Sequence, residues 1–224
     1  AARSATAAAG ALLILDEVQS GMGRLGAPFG ANLYEVEPDL LTTAKGLAGG
    51  MPAGAVLMRE GIARHLKGGD LGTTFGGGPV AAAAINAVID TIEADNLLQN
   101  VRDREAQIRE QCVAGPVLKI QGLGLLLGLV CDRPAIEVRD ALLDHDILTG
   151  TSGDPNVLRI LAPLVLHPEH VDRLSQALAS KSNSPETRSM SCRWNWSPAK
   201  RGVVRSRRSR CRWRANRWRE PRAP

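Results

Sequence analysis

Short apolar runs that end in chemically capable polar residues mark the first sixty positions. Residues 12–15 (Leu-Leu-Ile-Leu) form a continuous apolar run, the pattern of a strand buried on both faces of a parallel sheet. Asp16 and Glu17 follow it directly. A second extended piece over 40–43 leads to Lys45, and a third over 55–58 follows the turn Gly49-Gly50-Met51-Pro52. The glycine-rich loop 72–78 opens into a helix over about 80–94, with Pro79 suited to its first turn. More helix is predicted over 96–112, with Arg102, Arg104, Glu105, Arg109 and Glu110 as a solvated face.

The pattern then changes. Residues 117–121 and 123–130 read as a strand pair containing Gly122, Gly124 and Gly128. A helix over 136–145, strands near 147 and over 157–161, and a last helix over 168–179 complete it. The whole predicts an α/β chain: residues 1–113 as a partial large domain with a mainly parallel sheet and a connecting helix, and 114–180 as a smaller α+β domain. No internal repeat is visible.

Charge separates a third region. Residues 181–224 hold 14 Lys and Arg against 2 Asp and Glu, so the chain's 28 basic and 23 acidic residues leave 14 and 21 for residues 1–180. All four Trp lie in that tail, which lacks apolar periodicity. Such a segment is expected to be disordered, or a shifted-frame translation. Single-strand nucleic-acid binding by charge and stacking is the less favoured reading. Cys112, Cys131, Cys192 and Cys211 form no CxxC and stand near no histidine at ligand spacing, so neither a metal site nor a disulfide scaffold is indicated. Reduced thiols in a cytoplasmic setting are expected. The alanine-rich start runs straight into Asp16-Glu17, so no export signal is read, and no stretch reaches membrane-spanning length. The chain, which begins without Met, is expected to start inside a longer product.

In open α/β sheets, reactive residues project from loops at the carboxyl ends of strands. Asp16 and Lys45 both stand there, which suggests one pocket for an electron-withdrawing cofactor. A carboxylate beside a pyridine nitrogen would keep that ring protonated, and a lysine amine could condense with an aldehyde and later carry a proton. Thr74 and the N–H groups of its loop could hold a phosphate. Taken singly, each residue has a plainer reading: a loop carboxylate or helix cap for the acidic pair, a surface charge for Lys45, strand filler for Thr74, an edge-strand charge for Arg159. The four histidines read as surface or packing residues. Arg24 fits a structural ion pair as well as a substrate contact.

Three motifs in order, Asp-Glu-Val-Gln-Ser-Gly-Met-Gly-Arg from Asp16, Thr-Ala-Lys-Gly-Leu-Ala-Gly-Gly-Met-Pro around Lys45, and Gly-Thr-Thr-Phe-Gly-Gly from Gly72, closely resemble the class III pyridoxal-phosphate aminotransferases, particularly the acetylornithine branch. The resemblance covers residues 10–179. It implies the fold-type-I architecture, pyridoxal 5'-phosphate as cofactor, and a homodimer with shared active sites. By it, Asp16 contacts the pyridine nitrogen, Gln19 the ring hydroxyl side, and Lys45 is the Schiff-base lysine. Thr74 reaches the phosphate of the partner subunit's cofactor, and Arg159 binds a substrate carboxylate. The implied reaction moves an ω-amino group from an N-acetylornithine-like donor to 2-oxoglutarate. The alternative is a catalytically incomplete fragment of such an enzyme, because the first strands of the large domain, a phosphate-cradling turn and a ring-stacking aromatic have no counterpart in the chain. Gly78, Gln121 and Ile160 also depart from the family's common Asn, Arg and aromatic.

Overall fold

The computed structural model describes residues 1–180; the expectations placed on the basic tail lie outside the described residues. A three-stranded sheet comes first: β1 (Ile14–Asp16), β2 (Leu40–Thr43) and β3 (Ala55–Met58), in the order β1-β2-β3. β1 pairs with β2 in parallel and β2 with β3 antiparallel, so one of the two pairs carries the expected parallel direction. Around the sheet stand α1 (Ala2–Ala8), α2 (Gly30–Leu33), a 3-10 turn (Lys45–Ala48) and α3 (Glu60–Ala63).

The expectation that residues 12–15 are buried on both faces is corrected. Leu13 and Leu41 are buried, but Leu12 and Ile14 are 56% and 58% exposed and Val56 is 54% exposed. The cause is geometric. Side chains alternate across a strand, and the face bearing Ile14, Asp16 and Val56 is open among the described residues. The opposite face looks toward α4 (Pro79–Ala94), where Thr43 and Leu57 line a cavity of about 360 Å³ with Ile89 and Ile92.

Polar anchors register this thin sheet. The Asp39 carboxylate accepts the Leu13 N–H at 2.7 Å, pairs with Arg3 at 2.7 Å and with Arg59 at 3.4 Å. One buried side chain therefore ties α1 to the leading ends of β1 and β2 and to the residue after β3. α1 had no counterpart in the sequence reading; alanine favours helix intrinsically, and Arg3 fastens it to Asp39.

The second sheet is fully antiparallel, in the order β4-β5-β7-β6, from β4 (Val117–Leu123), β5 (Leu126–Cys131), β6 (Gly150–Thr151) and β7 (Val157–Ile160). Three helices share its core: α5 (Leu97–Gln111), α6 (Ala135–Leu143) and α7 (Pro168–Ala179). Val101 and Ile108 of α5, Val138 and Leu142 of α6, and Val171, Leu174 and Leu178 of α7 converge on Leu127, Leu129 and Leu158. The spacing 171, 174, 178 puts three apolar side chains on one helical stripe. α5, placed at the end of the first part by sequence, thus contributes its apolar stripe to the second core.

The solvated face expected on α5 is corrected in part: Arg102 and Glu110 are exposed, while Arg104, Glu105 and Arg109 are half-buried. Glu105 accepts the Gly124 N–H at 2.7 Å and pairs with Arg109 at 2.8 Å. Arg109 donates to the carbonyls of Ile120 and Gly122, and Arg102 to the carbonyl of Gly26. The glycine-rich hairpin leaves carbonyls and an N–H in need of partners, and Glu105 and Arg109 supply them.

Candidate active site

The acidic pair at the end of β1 divides by the alternation of the strand. Glu17 is 4% exposed and accepts three hydrogen bonds: from the Ser20 hydroxyl at 2.6 Å, the Gly30 N–H at 3.0 Å and the Ala31 N–H at 2.7 Å. It satisfies the first N–H groups of α2, which would otherwise be orphaned. Asp16 faces the open side. Its Oδ1 accepts the Val18 N–H and the Thr42 hydroxyl, each at 3.1 Å, and no ion pair engages it among the described residues.

Lys45 follows β2 by two positions and starts the 3-10 turn with φ +50°. A left-handed backbone at a non-glycine residue is uncommon and costs energy that the surroundings must supply. Met22, on the loop after β1, has φ +54°. The two strained residues face one cavity of about 730 Å³, together with Gln19, Arg24, Val88 of α4 and Leu164. Arg24 and Lys45 are the charged side chains on its lining.

The structure brings together Gln19 and Lys45 on this cavity, and it sets Asp16 beside Thr42, three residues before Lys45, through the parallel pairing of Asp16 with Thr42. Arg159 does not line it. It borders a neighbouring cavity of about 520 Å³ with Arg173, Thr149 and Ile160, and Leu161 and Pro163 form a wall common to both. On β7, Arg159 sits between Gly128 and Gly150, and an added Cβ at Gly150 would stand 3.4 Å from the guanidinium. Thr74 lies exposed in the glycine loop before α4 and borders neither cavity.

Among the described residues Arg24 forms no ion pair, so the ion-pair alternative read from sequence is corrected. It donates to the carbonyls of Leu125 and Ala162, and its own carbonyl accepts the Leu125 N–H at 2.9 Å. Burial holds its guanidinium below the ordinary arginine value. Gly124, at φ +56°, is required here: an added Cβ would lie 2.4 Å from the Arg24 carbonyl oxygen. Glu17 and this clamp were missed because a single sequence does not show which carboxylate of a pair turns inward. The glycines at 21 and 30 were the available signal, since both pack directly against Glu17.

Among the described residues, no group of three or more His, Cys, Asp and Glu is placed to hold a metal, and no helix is long and apolar enough to cross a membrane. Burial pushes the Cys112 thiol up to about 11 and raises that of Cys131.

Asp16 ends β1 on the open sheet face, and Lys45 lies on a strained turn at the wall of the cavity it shares with Gln19. Residues 1–181 match the aminotransferase class-III family model, and the chain belongs to that family. Acetylornithine aminotransferase of Streptomyces coelicolor is 45% identical over 183 residues, covering 80% of this chain and 45% of the relative. That of Bacillus subtilis is 39% identical over 180 residues, covering 77% and 46%. Among solved structures, acetylornithine aminotransferase from Elizabethkingia anophelis superposes with a TM-score of 0.72 at 27% identity, covering 79% of this chain and 46% of that one. The ornithine aminotransferase of Toxoplasma gondii gives 0.74 at 29%, covering 81% and 45%. The chain therefore spans about half the length of the curated relatives it matches.

Proposed function

We propose that this chain carries the lysine-bearing half of a pyridoxal-phosphate-dependent site that transfers an ω-amino group from an N-acetylornithine-like donor to 2-oxoglutarate. The observation that carries the reading is Lys45, held at φ +50° on the wall of the cavity that Gln19 shares. The donor set fits the cofactor: an amine with no ion-pair partner among the described residues, and a carboxylate whose Oδ2 has no hydrogen-bond partner there. When bound, pyridoxal phosphate supplies an aldehyde that takes up the amino group and a protonated ring that draws electrons from the substrate carbon.

The protein side divides as follows. Asp16 holds the proton on the ring nitrogen by its negative charge, and the Thr42 hydroxyl fixes the carboxylate's direction. Gln19 donates to the ring's hydroxyl side. Lys45 anchors the cofactor, and its freed amine moves the proton. Arg159 takes a substrate carboxylate through two parallel hydrogen bonds, reaching across the 161–163 wall that separates its cavity from that of Lys45. Thr74 holds the phosphate of the partner subunit's cofactor in a homodimer, which accounts for its place outside both cavities of its own chain. The buried free thiols of Cys112 and Cys131 suit a reducing, cytoplasmic setting.

Adding pyridoxal phosphate to the chain should give an absorbance band near the visible edge, and borohydride reduction with peptide mapping should fix the label on Lys45. Lys45→Ala should abolish both; a label retained at another lysine would reject the assignment. The open face of the first sheet favours a second reading, in which the 224-residue chain binds cofactor without turnover. Turnover of N-acetylornithine and 2-oxoglutarate by that chain alone would eliminate the second reading.

A further inference from the structure

We propose that Glu17 is a positioning residue for the Lys45 site: its buried carboxylate fixes the turn that aims Asp16 at the open sheet face and Gln19 at the cavity. The inference rests on the functional reading above. Its geometry is independent of that reading.

Successive strand residues point to opposite faces, so whatever fastens Glu17 inward obliges Asp16 to face outward. Three donors fasten it. The Ser20 hydroxyl belongs to the turn itself, and the Gly30 and Ala31 N–H groups belong to α2. The backbone adds two more ties, from Glu17 N–H to the Thr42 carbonyl at 2.9 Å and from Gly21 N–H to the Glu17 carbonyl at 2.9 Å. The turn is thereby closed at both ends, one end on β2 and the other on α2.

Packing leaves this turn no slack. An added Cβ at Gly21 would lie 2.7 Å from the Phe29 ring and 2.8 Å from the Glu17 carbonyl oxygen, and one at Gly30 would lie 3.1 Å from Glu17 Oε1. Released from its donors, a buried carboxylate would turn to water. The 18–22 turn would then loosen, and Gln19 and the strained Met22, both on the cavity lining, would lose their placement. Glu17 itself borders neither that cavity nor Asp16's hydrogen bonds, so it acts only through its neighbours.

The test uses Glu17→Gln and the milder Ser20→Ala in the full 224-residue chain. Pyridoxal phosphate is titrated by its visible absorbance and trapped on Lys45 with borohydride, while amide hydrogen exchange is followed in parallel. Glu17→Gln should weaken cofactor binding roughly tenfold or more, by analogy with the loss of groups that orient metal ligands, and should shift the pH midpoint of the absorbance band. Ser20→Ala should act in the same direction by less. Faster exchange should be confined to residues 18–22, 30 and 31, with β5 and β7 still protected. A Lys45 label indifferent to Glu17→Gln overturns the positioning role alone, as does an exchange increase that spreads to β5 and β7. Absence of any Lys45 label in the unsubstituted chain overturns the functional reading, and the positioning role with it.

Discussion

The two sheets are stabilised by different physics. The second has four antiparallel strands whose inner face is filled by Leu127, Leu129 and Leu158 and closed by three helices. The first has three short strands and one open face, and buried carboxylates fix its register: Asp39 at the leading ends of the strands and Glu17 at the trailing end of β1. Apolar burial is non-directional and roughly proportional to area, whereas hydrogen-bonded carboxylates specify direction. The region that carries Asp16 and Lys45 is the one built on directional contacts. Arg24 ties it to the second sheet, donating to the carbonyls of Leu125 in the β4–β5 turn and Ala162 just past β7.

The largest effect should come from the apolar side of this contrast. Leu158 is fully buried on β7, and Leu158→Ala should cost about 3 kcal/mol from lost transfer energy and the cavity left behind. Chemical denaturation followed by far-UV circular dichroism measures it. If stability fell by less than the change seen at an exposed leucine such as Leu148, the second core would not be the stabilising body described.

Much of the second sheet was legible from sequence, because its residues carry their instructions locally. Pro168 begins α7, and the 171, 174, 178 stripe follows at helical spacing. The hairpin glycines announce the β4–β5 turn. Of the proposed site, Lys45, Asp16 and Gln19 are singled out by motif context, and Lys45 and Gln19 line the same cavity. The remainder depended on contacts distant in sequence. That Glu105 and Arg109 serve a hairpin rather than solvent follows from carbonyls and an N–H of residues 120–124. That Arg159 borders a separate cavity follows from the path of residues 161–163. The exposure of Ile14 escaped for another reason: a four-residue apolar run looks the same whether one face or both are covered.

A smaller effect, with a distinctive pH dependence, is expected at Asp39. The Leu13 N–H, then the Arg3 guanidinium, hold its carboxyl below the ordinary value of 3.8. A carboxyl whose folded pKa is depressed contributes stability that is present above the unfolded pKa and is lost as pH falls through the folded one. Asp39→Asn should therefore lower the unfolding midpoint at pH 7, with the difference from the unsubstituted chain shrinking below about pH 4. Thermal melts at a series of pH values give both curves. A difference independent of pH between 7 and 2.5 would mean that Asp39 acts by shape rather than by charge.

The smallest effect should come from the open face, and its smallness is the informative result. Ile14 is 58% exposed on β1, with Leu40 opposite it in the parallel register. Ile14→Thr keeps the β-branched shape that suits a strand and removes an apolar surface that already meets water. If the face is open in solution, stability should change by no more than about 0.5 kcal/mol, the usual range for surface substitutions, and solubility should rise as an exposed apolar patch shrinks. If instead a second copy or another chain covers the face, the same substitution should lower stability by well over 1 kcal/mol and make the melting temperature depend on protein concentration. Melts at two concentrations tenfold apart, read beside sedimentation velocity, separate these cases, and a concentration-dependent loss would show that the first sheet is completed from outside this chain.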